Sequence, residues 1–310
     1  MLNFIKRFLF FLFFFILNYL IFLFVWGNLL PSSFKPNLNY RIGSYGHMYT
    51  RLKELNKFDS VDILFLGSSH AYRGFDTRIF DASNIHTLNL GSSSQTPIQT
   101  LVLLKRHLHK LNPKSIVFEV NPDTFSSDGV ESSVDIIANE KNDINSVLMA
   151  FSLNHIVVYN TFIYGLIHDL FSLNKNYKES LIVGADTYIS GGYVEKKISF
   201  YSPKPLPATN FNINQNQLEA FNECLDFISE KNIPVTLVYA PIAPSNYCRY
   251  NNSSEFDKIM GEKTKYYNFN KILTLNDSLH FYDSHHLNQN GVEIFNNKVI
   301  ELINNDKSSY

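Results

Sequence analysis

The sequence is poor in cysteine and lacks the glycine motifs that cradle phosphates. Only two cysteines occur among 310 residues, Cys224 and Cys248, so a disulfide framework is excluded and at most one bridge can form. Because Cys224 falls on the apolar face of a predicted helix, we expect a buried free thiol, with a Cys224–Cys248 disulfide as the alternative. Neither G-x-x-x-x-G-K nor G-x-G-x-x-G is present, which argues against a phosphate-binding loop.

The sequence also lacks an excess of charge of either sign. It holds 27 basic and 28 acidic residues, with a net charge of −1, and no basic cluster suggests a groove for a polyanion. Proteins that bind nucleic acid carry such clusters, so nucleic acid is not an expected partner. The length allows a substantial buried core in one large or two modest domains.

One long apolar run is present near the start of the chain. Positions 8–26 carry no charge, and at 1.5 Å per helical residue they match a hydrocarbon core of roughly 30 Å. Lys6 and Arg7 precede the run and no basic residue follows until Lys35, which predicts a cytoplasmic N-terminus and an exported remainder. A cleaved signal peptide is the alternative, but the run exceeds a usual signal core and no small-x-small cleavage site follows. We therefore predict an uncleaved transmembrane anchor at 1–30.

Short apolar runs alternate with helical patterns in the rest of the chain. Strands are predicted at 61–67, 87–91, 115–120, 234–240 and 279–283, and helices at 96–111, 216–232 and 290–303. Apolar strands of this kind are buried on both faces, which predicts an α/β fold of three layers, α/β/α, with a mainly parallel five-stranded sheet. The predicted organisation is a linker at 31–59 and one domain at 60–310.

Residues 122–212 interrupt this alternation. They contain an apolar, partly helical piece followed by a polar stretch. An insertion after the third strand would lie over the crevice at the carboxyl ends of the strands, where ligands bind in open α/β sheets. A lid, a substrate-binding flap, a docking surface for a membrane partner and plain core packing all stay open as interpretations.

A serine lies where the first predicted strand ends and a helix begins. Ser69, within "LFLGSSHAY", would have its side chain at the carboxyl edge of the sheet and its N–H at a helix start. Such a hydroxyl becomes a nucleophile only beside a base that a third group orients. Asp283 and His286, near the other end of the chain, offer both. The alternative is a serine that merely caps the helix and a structural Asp–His pair.

Neighbouring histidines leave further alternatives open. His285 is the rival base to His286, and His70 and Ser68 are predicted to line the pocket with it. His280 joins the others in a His/Asp cluster, but its spacing matches no zinc motif and adjacent histidines on an extended chain point apart. We predict no metal and no cofactor.

These residues resemble the SGNH (GDSL-like) hydrolase and acyltransferase superfamily over roughly 60–121 and 215–305. Gly67-Ser68-Ser69 is similar to the first block, "LNLG" to the second and Asp283-Ser284-His285-His286 to the D-x-x-H block. The resemblance implies a flavodoxin-like sheet and a catalytic triad of Ser69, Asp283 and His286. It also implies an oxyanion hole that is formed by Ser69, Gly91 and Asn121.

The sequence departs from the family pattern at three positions. Ser68 replaces the aspartate of the first block, and Glu119 and Pro122 replace the glycine and the aspartate around the asparagine of the third. The G-S-S start and the N-terminal anchor resemble exported proteins that O-acetylate alginate or D-alanylate teichoic acids.

That resemblance implies an O-acetyltransferase or esterase that acts on O-acyl groups of a cell-surface glycan. It also implies a membrane-bound O-acyltransferase as partner. The alternative is a non-catalytic, membrane-tethered glycan-binding or scaffold subunit, with the departures at Ser68 and around Asn121 as signs of decay.

Overall fold

The computed structural model describes residues 1–43 and 45–307. Ser44 and residues 308–310, which fall in the predicted linker and domain, lie outside the described residues. The strands are β1 (Ile63–Leu66), β2 (Thr87–Asn89), β3 (Ser115–Glu119), β4 (Ile182–Val183), β5 (Asp186–Ile189), β6 (Tyr193–Lys196), β7 (Val235–Tyr239) and β8 (Tyr266–Asn268). The helices are α1 (Leu2–Leu29), α2 (Met48–Glu54), α3 (Ser69–Gly74), α4 (Thr77–Asp81), α5 (Pro97–Leu111), α6 (Pro122–Ser126), α7 (Val130–Asn139), α8 (Ile144–Leu153), α9 (Ile156–Leu170), α10 (Gln215–Ser229), α11 (Pro244–Tyr247), α12 (Ser253–Gly261), α13 (Phe269–Ile272), α14 (Asp277–His280) and α15 (Gln289–Lys307).

The central sheet has five parallel strands in the order β2-β1-β3-β7-β8. Successive side chains alternate between its faces, so Leu64 and Leu66 join a core with α5 and α10 while Ile63 and Phe65 join a second core with α3 and α15. Helices thus cover both faces, and the predicted α/β fold class is confirmed. The strand order reverses between β1 and β3, which places the ligand crevice at their carboxyl ends.

The helix predicted at 96–111 is present as α5, and its end residues show why the sequence pattern indicated it. Thr96 and Gln99 form a reciprocal capping box, Pro97 occupies the first helical position, and the helix ends at Asn112 in a left-handed conformation. α10 and α15 likewise occupy the predicted ranges. Cys224 on α10 is a buried free thiol and Cys248 is an exposed one, so the disulfide alternative is wrong.

The predicted fifth strand at 279–283 is wrong. Asn276 accepts a hydrogen bond from the Ser278 N–H at 2.9 Å and so caps the single turn of α14. Phe281, which follows, makes only an isolated bridge to Leu287. The fifth strand is instead β8, a three-residue edge strand that pairs with β7.

Part of the predicted linker belongs to the packed domain. Met48 and Leu52 of α2, together with Leu55 just after it, are buried in the core that also contains α5 and α10. The carboxylate of Glu54 accepts from the Tyr188 hydroxyl at 2.5 Å and from the Gly191 N–H at 3.0 Å. The packed structure therefore begins before residue 60.

Arg51, also on α2, is fully buried and joins the turn before its own helix to two distant segments. Its guanidinium donates to the carbonyl oxygens of Gly46 at 2.8 Å, Gly91 at 2.8 Å and Gly192 at 3.1 Å. It also stacks over the ring of Tyr72, 4.7 Å from the ring centroid. Carbonyl dipoles and an aromatic face thus meet a charge that would be costly to bury alone.

The segment predicted as an insertion contains α6 to α9 and a three-stranded antiparallel sheet in the order β4-β5-β6. Arg73 of α3 holds this small sheet to the domain through two parallel bonds to Asp186, at 3.0 and 2.7 Å. The sheet therefore packs beside the first βα turn of the main sheet.

Within the described residues, α1 is the one helix long and apolar enough to span a membrane or to serve as a signal sequence. Its last turns pack against α9. A Cβ at Gly27 would overlap the ring of Tyr164, and the Tyr19 hydroxyl donates to the Asn160 side chain. Glycine is required at this crossing for the two helices to approach so closely.

Candidate active site

The turn after β1 presents the predicted nucleophile. Gly67 has φ +135°, and a Cβ there would lie 2.6 Å from Glu119 Oε2, so only glycine fits. Ser68, not Ser69, is the N-cap of α3, because its hydroxyl accepts from the His70 N–H at 3.3 Å. Ser69 is therefore left free of the capping role. Among the described residues, none accepts a hydrogen bond from the Ser69 N–H.

The structure brings Ser69, His286 and Asp283 together. Ser69 Oγ lies 2.8 Å from His286 Nε2, across 217 residues of sequence. His286 Nδ1 lies 3.0 Å from each carboxylate oxygen of Asp283. Asp283 Oδ1 also accepts the backbone N–H groups of His285 and His286, both at 2.8 Å. The serine, imidazole and carboxylate thus form one hydrogen-bonded row, in the arrangement of a catalytic triad.

The surroundings of His286 fix both its charge partner and its ring plane. Burial alone would raise the pKa of Asp283, but bonds from the His286 ring and two backbone N–H groups outweigh it and hold that pKa well below its usual value. The ring of His286 stacks between Tyr282, at 5.4 Å, and His70, at 5.1 Å. The imidazole therefore faces an ionised carboxylate and has little room to rotate.

His285, the rival base, lines the same cleft, but among the described residues it is His286 and not His285 that bonds to the serine. The ring nitrogens of His285 are 3.3 and 3.5 Å from the Asn246 side-chain amide, and burial lowers its pKa. His280 turns back to its own helix, where its Nδ1 accepts from the Asn276 N–H at 2.9 Å. In the described part of the chain, no group of three or more histidine, cysteine or acidic side chains is placed to hold a metal ion.

Behind the nucleophile lies a buried carboxyl that sequence reasoning treated only as a departure. Glu119 Oε2 accepts both the N–H and the hydroxyl of Ser68 at 2.9 Å, while its Oε1 has no hydrogen-bond partner among the described residues. Burial raises the pKa of Glu119 to about 7, although the two Ser68 bonds oppose the shift. Two departures from the resembled motif, at 68 and 119, are thus in direct contact.

His70 lies between this carboxyl and His286. Its Nδ1 is 3.0 Å from Ser68 Oγ, and burial, followed by the charges of His286 and His285, lowers its pKa well below the usual value. A neutral His70 therefore packs against the face of the His286 ring and lines the cleft, where it was predicted.

The other two predicted oxyanion donors, Asn121 and Gly91, differ in whether their N–H groups can reach the cleft. Asn121 is buried and lines the cleft, with Nδ2 3.4 Å from both ring nitrogens of His70 and Oδ1 accepting the Asp123 N–H at 2.9 Å. The Gly91 N–H, however, already donates to Asn89 Oδ1 at 2.9 Å.

Gly91 therefore offers no free N–H, and its assignment to the oxyanion hole is corrected. A Cβ at Gly91 would lie 2.8 Å from the Ser68 carbonyl oxygen, so the residue is there for close packing behind the turn.

A cleft of about 270 Å³ opens over these groups. Sequence reasoning missed four residues that line it, namely Ser94, Asp123, Thr124 and Ser127. Three of them follow Asn121 directly on or just after α6, and Ser94 adopts a left-handed conformation in the loop after β2. Their position after strand ends at the switch point was the available signal.

Comparison with known proteins adds little to this geometry. No family model matches the chain, and no curated protein matches it. Among solved structures, the chain is similar to a GDSL-like lipase from Bacteroides thetaiotaomicron VPI-5482, with 10% identity and a TM-score of 0.43. The alignment covers 84% of this chain and 98% of the lipase. The fold class stands on the order and register of the strands.

Proposed function

We propose that the protein is a serine-dependent acyl-transfer enzyme. The hydrogen-bonded row from Ser69 through His286 to Asp283 supports this most directly. His286 Nε2 takes the hydroxyl proton as Ser69 Oγ attacks an acyl carbonyl, and the imidazolium is stabilised by an Asp283 that stays ionised. The leaving alcohol accepts that proton, and an ester on Ser69 remains. Water or a sugar hydroxyl then attacks the ester with His286 again as base.

Two donors are available for the developing oxyanion. The Ser69 N–H lies at the start of α3 beside the attacking oxygen, and Asn121 Nδ2 lines the same cleft. Donors placed before the reaction cost no reorganisation when the negative charge develops. With Gly91 engaged elsewhere, these two form the proposed oxyanion hole.

The proposed substrates are O-acyl groups of a cell-surface glycan, in an O-acetyltransferase or an esterase reaction. A cleft of about 270 Å³ suits a small acyl group, and the hydroxyls of Ser94, Thr124 and Ser127 on its walls suit a polar acceptor. The family resemblance supports a membrane-bound O-acyltransferase as partner.

The proposed location is a membrane, with the N-terminus in the cytoplasm and the domain exported. Lys6 and Arg7 before α1 support that orientation. The packing of Gly27 against Tyr164 supports a retained anchor over a cleaved signal peptide, because cleavage would expose the buried Leu38 and Tyr164.

Labelling with a fluorophosphonate tests the catalytic proposal. The full-length protein in detergent should be modified at Ser69 and should hydrolyse a simple acetyl ester, while Ser69→Ala should lose both activities. Ser229→Ala, an exposed serine of α10, is the matched control and should behave as the unchanged protein. A folded protein with neither labelling nor turnover would favour the scaffold alternative. Release or gain of acetyl on a purified acetylated polysaccharide then separates esterase from transferase.

A further inference from the structure

The helices α8 and α9 expose an apolar surface. Ile144, Leu148 and Phe151 follow one another at helical spacing on α8 and are 66%, 57% and 67% exposed, and Leu170 at the end of α9 is 78% exposed. α8 has no charged residue, and the single acidic residue of α9, Asp169, accepts from the Asn142 N–H and side chain. Contiguous apolar surface of this kind marks a site of interaction.

The position of α9 beside α1 indicates what covers this surface. Tyr19 contacts Asn160, and Gly27, two turns later on α1, contacts Tyr164, so the two helices run in the same direction. Tyr19 lies seven residues before Trp26, which is about 10 Å along a helix axis. When positions 8–26 fill the hydrocarbon core, the start of α9 therefore lies below the apolar boundary, inside the leaflet next to the domain.

Charges flank the apolar pair where a lipid headgroup layer would lie. Lys141 before α8 and both Lys175 and Lys178 after α9 are exposed. A cleft of about 640 Å³ between the end of α1 and α9 is lined by Lys35 and Arg41. Cations on either side of an apolar hairpin complement the phosphates of a bilayer surface.

The acidic groups near the start of α8 are ion-paired. Arg106 of α5 donates to Asp143 at 2.6 Å and to Glu140 at 2.7 Å. Neither carboxylate therefore faces the bilayer surface without a cationic partner, which lowers the cost of placing this edge of the hairpin there.

From these observations we propose that α8 and α9 insert into the leaflet next to the domain, as a second membrane contact beside α1. The occupant of the apolar surface is the lipid bilayer. The inference rests on α1 spanning the membrane and is independent of the proposed acyl chemistry.

Depth-dependent quenching in the full-length chain tests it. Single cysteines on either side of the α8–α9 turn, Phe151→Cys and Ile156→Cys (Ile156 is 50% exposed), are labelled with an NBD fluorophore in a Cys248→Ser background and reconstituted in phosphatidylcholine nanodiscs with and without doxyl-labelled lipid. Phe13→Cys on α1 is the positive control. Leu279→Cys is the negative control. Leu279 is 56% exposed on α14, which packs against α15 on the other face of the sheet.

The expected result is blue-shifted emission and lipid quenching at 151 and 156, with neither effect at 279. Emission typical of water at 151 and 156 would overturn the proposal while leaving the anchor intact if position 13 is quenched. Blue-shifted emission without lipid quenching would also overturn it, because a protein surface would then cover the helices. Loss of quenching at position 13 would remove the premise and the proposal together. The melting temperature of each variant in detergent reports folding separately.

Discussion

Two groups of residues in the cleft, its rim and its floor, each hold a carboxyl group, and the pKa values of these two carboxyls are shifted in opposite directions. We define the rim as Ser69, Asp283 and His286, and the floor as Ser68, His70, Glu119 and Asn121. On the rim, Asp283 is 45% exposed at its side chain and has a lowered pKa, while on the floor Glu119 is 2% exposed and has a pKa raised to about 7. Two carboxyls of one site thus titrate in different pH ranges.

The difference follows from what each carboxylate accepts. Asp283 accepts two backbone N–H groups and faces the His286 ring, whereas Glu119 accepts only from Ser68 and leaves Oε1 unpaired among the described residues. Donors stabilise the charged form, and burial without donors destabilises it. The rim therefore holds an ionised carboxylate beside the His286 ring, whereas the carboxyl of the floor bonds to the turn that carries Ser69.

If the division between rim and floor is right, replacing His286 should have the largest effect on turnover. His286→Ala should lower turnover of an acetyl ester by about 10⁴-fold because the serine loses its base. His285→Ala is the matched control and should change turnover by less than about 10-fold, since its ring contacts Asn246 rather than Ser69. Equal losses in the two variants would contradict the assignment. Melting temperatures measured in detergent check that both fold.

Asp283→Asn should have the next largest effect, a fall in kcat on the order of 10³-fold. The amide can keep a backbone contact, but it cannot stabilise the imidazolium that forms at His286. The measurement is kcat and KM on the same ester. A change in KM alone would show that Asp283 acts only on binding, and it would contradict the proposal that Asp283 stabilises the charged His286 ring.

Asn121 tests the division between rim and floor, because it is a floor residue that caps α6 and also lines the cleft. Asn121→Ala should reduce turnover by about 10- to 100-fold if Nδ2 stabilises the oxyanion. Asn121→Asp is the informative partner, since it keeps the cap on the Asp123 N–H but has no N–H to donate. Full activity in the aspartate variant would reject the donor role.

The smallest effect on turnover is expected at Glu119, whose replacement should instead change the pH dependence of stability. The folded chain holds more protons than the unfolded chain between the ordinary pKa of 4.5 and the raised value of about 7, so the free energy of unfolding falls as pH rises through that window. The loss is up to about 3 kcal/mol.

Glu119→Gln should remove this part of the slope. Asp135, buried with a pKa raised to about 8, adds a slope of the same sign that both proteins keep, so the difference between the two reports Glu119 alone. Unfolding of the two proteins at pH 5 and pH 7.5 measures it. Parallel curves for the two proteins would contradict the prediction.

The sequence predicted the main sheet and the helices on it because their patterns are local. Four strands and the capped helix α5 occupy the predicted ranges, and Ser69 lies at the carboxyl edge of the sheet because it follows β1. His286 contacts Ser69 as predicted in position, but it does so from the loop between α14 and α15 and not from the end of a strand. The catalytic role of these residues stays a prediction. The short edge strand β8 was missed because three residues, two half-buried tyrosines and a buried asparagine, are too few to show a periodicity.

Contacts between segments that are distant in the chain could not be predicted from the sequence. Ser68 and Glu119, seen separately, were departures from a motif, and only the pairing of β1 with β3 shows that they bond across 51 residues. The engaged N–H of Gly91 depends on how Asn89 turns at the end of β2. No local pattern reports the Ser68–Glu119 contact, whereas the Asn89–Gly91 bond spans only two residues and is a turn that asparagine commonly forms.

The buried guanidinium of Arg51 limits how far the candidate active site can move away from α1. It fastens the segment that leaves α1 to the loop after β2 and to the small sheet, while the Asn39 N–H donates to Thr161 and the Gly43 N–H to Asn139. The stretch between α1 and the domain is thus docked against the domain. For the proposed membrane-anchored enzyme, reach is therefore set by packing and not by contour length, so the proposed glycan substrate would have to come to the membrane surface to be modified.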